Sequence, residues 1–386
     1  MRKNLLRIFA VLLVVLWALP VSADEQSAYW TENPEVLEDY AFTIAFVGDT
    51  QTITRHHPEK LHDMYSWLAE NKEELNLQLV AGLGDITDTD TDEEWWAATD
   101  ALRCLRGQVP YTLIRGNHDS IINFSSYLED DLYIQQFTGI YNEDIYNTYY
   151  TFSVSGVDYL MMNLDFGPTD SALRWANNVV KAHPDHNVIV TTHAYMDAYG
   201  VLLSPQTSPY APTTLGGFND GIDIWNEFIR FHENIVMVVC GHISYPVIAV
   251  HETTGDKGNK IQQVLIDPQE VDRVEGPGGY VALFHFSEDG KTVQVQNYAT
   301  LQGKYFGSTL RFDLNTKGGE KHADVPPVVE EPVVETPAAV VTMQTGGKAP
   351  SLTILWLVLG EVAAVAAMIL LTRFFKKPAK QQTANT

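Results

Sequence analysis

Five short apolar runs between residues 42 and 240 each lead into a knot of glycine, acid, amide or imidazole residues. This repeated ending constrains the fold more than any other feature. Phe42–Val47 leads into Gly48-Asp49-Thr50-Gln51, and Leu77–Ala81 into Gly84-Asp85-Ile86-Thr87-Asp88. Tyr111–Ile114 leads into Arg115-Gly116-Asn117-His118-Asp119. Val188–Thr191 leads into Thr192-His193, and Ile235–Val239 into Gly241-His242. Such runs read as buried strands. Open α/β sheets bind ligands beyond the carboxyl ends of their strands, so the knots are expected to converge.

Between the strands lie helical patterns. Pro58 opens one whose apolar face is Leu61, Met64, Tyr65 and Leu68. Others cover Asp92–Leu105, Ser171–Ala182 and Ile222–Phe231. Tyr149–Val154 and Tyr159–Asn163 pair across Ser155-Gly156 as a hairpin. Beyond residue 240 come Val247–His251, Ile261–Ile266, Tyr280–Phe286 and Thr292–Tyr298, all strands with no helix between. An alternating half followed by a strand-rich half predicts two packed sheets covered by helices. The domain is expected over residues 40–315.

Formal charge is −24, from 49 acids against 25 bases. So acidic a field repels phosphate backbones, and no nucleic-acid partner is expected. Two cysteines exclude a disulfide-dense scaffold or a cysteine-built zinc site. Cys104 and Cys240 are read as two free buried thiols rather than a pair.

The knots carry donors suited to divalent cations. Their order resembles the calcineurin-like metallophosphoesterase superfamily: Gly84-Asp85-x-x-Asp88, then Gly116-Asn117-His118-Asp119, then His193, then Gly241-His242. The resemblance covers roughly residues 42–300. It implies a four-layer αββα sandwich of two mixed sheets flanked by helices. It implies two divalent metal ions and phosphoester hydrolysis by metal-activated hydroxide. One metal site would take Asp85, Asn117, His193 and His242. His118 would be the catalytic acid and would orient phosphate, paired with Asp88 or Asp119. Arg115 and Asn117 would lie near substrate, Arg115 being as readily a loop support.

The other site departs from the pattern. The family's Asp-x-His is here Asp49-Thr50-Gln51, and its Gly-His-x-His is Gly241-His242-Ile243-Ser244. That site keeps Asp49, shared Asp85, the Gln51 amide oxygen and the Ser244 hydroxyl as candidates. An oxygen-rich set favours Mn²⁺ or Mg²⁺ and weaker binding. His56 and His57 either replace a lost imidazole or lie in a solvated loop. The departure also supports a second reading, a surface binding protein on a phosphoesterase scaffold whose first metal site is degraded.

Other features have plain readings. The acids from Asp88 to Glu94 cap a helix rather than bind calcium. Trp95, Trp96 and Trp175 are expected in packing. The long segment Asp197–Phe218 should rim the pocket.

The ends set the expected compartment. Arg2, Lys3 and Arg7 precede an apolar run, Ile8–Leu19, then Pro20 and Val21-Ser22-Ala23, the order of a signal peptide over residues 1–23. Residues 316–350 are proline-rich and read as a stalk. Residues 352–371 are long and apolar enough for a membrane helix. Basic residues follow over 372–386, predicting a cytoplasmic tail and a cell-surface domain. Thr342-Met343-Gln344-Thr345-Gly346 also resembles a sortase-type sorting signal, which implies attachment to a cell wall. The expected partners are a small phosphoester and the membrane.

Overall fold

The structure is a computed structural model that describes residues 30–31, 40–129, 131–271 and 278–317. The expected signal peptide, most of the stalk, the membrane helix and the tail lie outside the described residues.

Fourteen described strands run in chain order. They are β1 (Trp30–Thr31), β2 (Tyr40–Val47), β3 (Leu77–Gly82), β4 (Tyr111–Leu113), β5 (Gly139–Tyr141), β6 (Asp144–Val154) and β7 (Val157–Leu164). Then follow β8 (Asn187–Thr192), β9 (Ile235–Cys240), β10 (Tyr245–Thr254), β11 (Lys260–Asp267), β12 (Tyr280–Ser287), β13 (Thr292–Ala299) and β14 (Lys304–Asp313). One sheet has the order β1-β14-β13-β12-β2-β3-β4, the other β10-β11-β9-β8-β7-β6-β5. Both are mixed. Strands β2, β3 and β4 are parallel, as are β7, β8, β9 and β11. The outer strands join antiparallel.

Alternation along the strands builds the layers. On β2, Phe42, Ile44 and Phe46 face inward with Met161, Ile189, Met237, Val264 and Phe284 in one cluster between the sheets. The alternate residues Ala45 and Val47 face outward. They pack under α1 (Gln51–His56), α2 (Pro58–Glu70) and α3 (Asp92–Leu102), with α4 (Ile121–Leu128) and α5 (Asp131–Ile134) alongside. On the other sheet, Leu160, Met162, Val190 and Val238 face outward against α6 (Asp170–Ala182) and α7 (Gly221–Glu227). A period of two puts one strand's side chains into two separate cores, which gives the four-layer αββα sandwich.

Several expected bounds move. The helix at Asp92 ends at Leu102, not Leu105, and the chain turns through Gly107 at a φ of 70°. The helix expected over 222–231 is α7 followed by a single 3₁₀ turn, Ile229–Phe231. The hairpin is longer, using β6 and β7. Helices α1, α4 and α5, edge strands β1 and β5, and strand β14 were not expected. Trp95 is fully buried and Trp175 packs on Tyr149, but Trp96 is 59% exposed and packs little. Both cysteines are free; Cys240 is buried and Cys104 only half-buried. Thr91 caps α3 through Glu94 N, while Asp90 accepts from Trp95 Nε1 (2.8 Å) and Ser120 N (3.1 Å). The acidic run therefore builds a helix start.

Candidate metal centre

The knots meet at the carboxyl ends of the parallel strands. Backbone bonds lock them together: Thr50 N donates to Asp85 O at 3.1 Å and Gly241 N to His193 O at 2.9 Å. Two ligand candidates sit in left-handed backbone, Asp85 at a φ of 44° and His242 at 72°. Non-glycine residues rarely hold that region, and such strain collects at functional sites. Gly84 must be glycine twice over: its φ is 95°, and an added Cβ would lie 2.7 Å from His193 Nδ1.

His193 is wholly buried beyond β8. Its Nδ1 donates to Leu83 O at 2.7 Å. Its Nε2 faces Asn117 Oδ1 at 3.2 Å and Asp85 Oδ1 at 3.3 Å. Three acceptor-bearing groups so close are held together by a shared proton or by a cation. Burial, the largest influence, pushes the His193 pKa down, but Asp85, the Leu83 carbonyl and Asp119 together raise it above the ordinary value. Burial likewise pushes Asp85 up, and His193, with the charge and amide of His118, brings it below the ordinary value.

His242 follows β9. Its Nε2 lies 2.8 Å from Tyr210 O and donates to it, which leaves Nδ1 free to ligate. Burial, with the neighbouring His193, pushes its pKa down to about 4, so the ring is neutral near pH 7. One ligand atom each from Asp85, His193 and His242 lies within 4.8 Å of the others. This donor set fits a divalent cation, with Asn117 Oδ1 as a fourth donor.

Asp49 lies beside this centre with a fully buried side chain. Its Oδ1 accepts from His242 N at 3.1 Å and lies 3.8 Å from His193 Nδ1. Gln51 is buried too; its Nε2 donates to Gln269 Oε1 at 3.1 Å, and its Oε1 has no hydrogen-bond partner. Ser244 is occupied elsewhere, its hydroxyl 3.4 Å from both Asp267 O and Glu270 N. His56 is exposed and His57 half-buried.

His118 is positioned by a carbonyl. Its Nδ1 donates to Asp88 O at 2.7 Å, and its backbone N to Asp85 Oδ1 at 3.0 Å. The Asp88 carboxylate is 3.9 Å away and pairs with Arg55 instead. Asp119 does not face His118 either. It accepts from Ile86 N, Thr87 N, Thr87 Oγ1 and Gly116 N, all at 2.9–3.0 Å, and so ties two knots together.

Arg115 is spent on the protein. Its Nε and Nη2 form a fork with Asp165 at 2.8 and 3.0 Å, and its Nη1 donates to Gly116 O and Asp119 O. The structure thus places Arg115 as a loop support. The expected rim segment does reach the site, since Tyr210 O holds His242.

Sequence reasoning missed Asp165, Arg55, Asp267 and Gln269. Asp267-Pro268-Gln269 ends β11 in the same way that the five knots end their strands, and that signal was readable.

Fold and site together define a class: an αββα sandwich carrying imidazole, carboxylate and amide donors where its parallel strands end. Residues 42–246 match the family described as calcineurin-like phosphoesterase, and the chain belongs to that family. The family depends on two metal ions. The uncharacterized protein YvnB of Bacillus subtilis (strain 168) is 28% identical over 293 residues, which cover 72% of this chain and 21% of YvnB. The chain thus spans about a fifth of that relative's length. Similar solved structures include a dimetal phosphatase from Danio rerio at 14% identity and a TM-score of 0.41, covering 71% of this chain and 99% of that one. The yellow lupin (Lupinus luteus) purple acid phosphatase has 12% identity and a TM-score of 0.43, with 70% and 53% covered. The NAD nucleotidase of Haemophilus influenzae has 14% identity and a TM-score of 0.38, with 72% and 50% covered.

Proposed function

We propose that the chain hydrolyses a small phosphomonoester or phosphodiester, nucleotides among them, in a metal-dependent reaction. The observation that carries this reading is the close cluster of ligand atoms on Asp85, His193, His242 and Asn117 beside a half-exposed His118. Divalent ions, when bound, supply Lewis acidity and activate the nucleophile in attack at phosphorus. The chain's own residues do the rest. Leu83 O and Tyr210 O fix which ring nitrogen of His193 and of His242 is free. Asp88 O engages the Nδ1 proton of His118, so the ring acts as an acid in its doubly protonated form, giving the Nε2 proton to the departing oxygen. Asn117 Oδ1 helps to hold the cation side of the site.

The apolar segments at residues 8–19 and 352–371 support an exported domain tethered at the cell surface. There it would meet soluble nucleotides, lipid head groups or wall polymers. The test uses the full-length chain, stripped of metal and reloaded singly with Mn²⁺, Mg²⁺, Ca²⁺ or Zn²⁺, against an aryl phosphomonoester and diester. Metal-dependent turnover that falls about 10²–10⁴-fold in His118→Ala, with metal content unchanged, supports the reading. A folded, metal-loaded chain that turns over neither ester refutes it and favours the surface binding protein.

A further inference from the structure

Beside the His193 centre lies a second group of buried polar side chains. Asp49 and Asp267 both have wholly buried side chains. Among the described residues, no lysine or arginine nitrogen lies within 4.0 Å of either carboxylate. One neutral group stands between them. Gln269 Nε2 is 3.1 Å from Asp267 Oδ2 and 3.5 Å from Asp49 Oδ2. Gln269 N adds a bond to Asp267 Oδ1 at 3.2 Å. Two buried carboxylates bridged only by an amide are costly to hold ionised in a protein interior.

A second observation points to a ligand. Gln51, itself only 5% exposed, joins the group through Nε2 on Gln269 Oε1, and its own Oε1 is left without a partner. A buried amide oxygen is seldom abandoned in this way. The carboxylates and the orphan are both satisfied by a positive ion with oxygen ligands.

We infer that Asp267 and Gln51 Oε1 join Asp49 as ligands of the first cation site, replacing the imidazoles that this chain lacks, and that Gln269 holds the carboxylates together when the cation is away. The inference rests on the two-metal reading of the site, not on turnover. Three arguments favour it. Strand β11 runs parallel to β9, so Asp267 reaches the same rim as Gly241-His242. A carbon at Gly48 would lie 2.7 Å from Ile266 O and 3.3 Å from Asp267 Cα, so the first knot lies directly against the end of β11. The Ser244 hydroxyl, which the motif puts in the place of the second lost imidazole, bonds to the backbone of the Asp267 loop rather than standing free. A set of carboxylate and amide oxygens selects Mn²⁺, Mg²⁺ or Ca²⁺ over zinc or iron.

The test counts ions. The full-length, metal-free chain is titrated with Mn²⁺ by calorimetry, and bound metal is measured after equilibrium dialysis. The native chain should take two ions. Asp267→Asn should keep the ion at Asp85, His193 and His242 and weaken the other by about a hundredfold. The retained ion shows that the variant is folded. Gln51→Glu should tighten the first-site ion by about tenfold, since ligand charge sets such affinities. A native chain that takes one ion overturns the inference. So does an Asp267→Asn chain that binds both ions unchanged. Should that variant lose both ions, Gln51→Glu decides alone: tightening sustains the inference and unchanged affinity overturns it. Two ions without turnover refute the phosphoesterase reading only; turnover with one ion refutes this inference only.

Discussion

Arg115 separates two accounts of the third knot, and Arg115→Met tests them. As a substrate group, its loss would raise KM and leave the fold intact. The geometry predicts the reverse. The guanidinium and the Asp165 carboxylate are 13% and 12% exposed and meet in a two-bond fork. Two loop carbonyls depend on the same group. With methionine in its place, the Asp165 carboxylate keeps, among the described residues, only the backbone N of Phe166 as a donor, at 2.8 Å. Breaking a buried pair from one side costs about 3–5 kcal/mol. Burial already pushes Asp165 up to about 6 despite Arg115. Without the arginine it rises further, so the folded variant binds a proton that the unfolded chain releases. Its stability then falls as pH rises, and the deficit against the native chain should be largest above pH 7 and shrink towards pH 5. Urea unfolding of both full-length chains at pH 5, 7 and 8 measures this. The double variant Arg115→Met/Asp165→Leu should recover part of the loss, because no charge is then stranded. A single variant within about 1 kcal/mol of native at pH 7, with KM raised tenfold, would refute the reasoning.

Two further predictions are independent of it. Gly116→Ala places a carbon 2.0 Å from Asp85 Oδ1 and 2.2 Å from Asp85 N, so the carboxylate must move; metal analysis after dialysis should find the Asp85–His193–His242 centre empty, and native metal content would contradict the packing. His285 and His232 are buried and held down to about 4 from an ordinary 6.5, chiefly by burial, so each stays neutral in the folded state while its unfolded counterpart takes up a proton. Stability from each should be complete above pH 6.5 and fall by up to about 3 kcal/mol as pH drops to 4; His285→Gln should flatten this profile, and an unaltered slope would discount His285.

Much of the sandwich and the convergence of the candidate ligands was legible because the signals are local. A strand, its terminal glycine and the polar residue beyond it lie within a few positions, as in Val47-Gly48-Asp49 and Cys240-Gly241-His242. Partners set by topology were not legible. Asp165 meets Arg115 across 50 positions, and nothing near either residue announces the other. His118 depends on a backbone carbonyl, which every residue has, so a search among side chains settled on the Asp88 and Asp119 carboxylates. Strands β5 and β14 are only partly buried and lack the apolar run that marks a buried strand. Asp267 had the same local signature as the knots but lay beyond the motif order that drew attention.

The candidate ligands come from both sheets: Asp85 and Asn117 follow β3 and β4, while His193 and His242 follow β8 and β9. Elsewhere the sheets meet through an apolar layer. At this rim an ion would act as a clasp between them, and Tyr210 O fastens the long loop to the same clasp. Such an ion stabilises the whole sandwich by mass action, by about 2.7 kcal/mol at a hundred times its dissociation constant. Chelation should then speed amide exchange first at the ends of β3, β8 and β9 and in the Tyr210 loop, and leave the far ends of the same strands protected. The ion would thus serve as a tension member for the fold as well as a centre for chemistry.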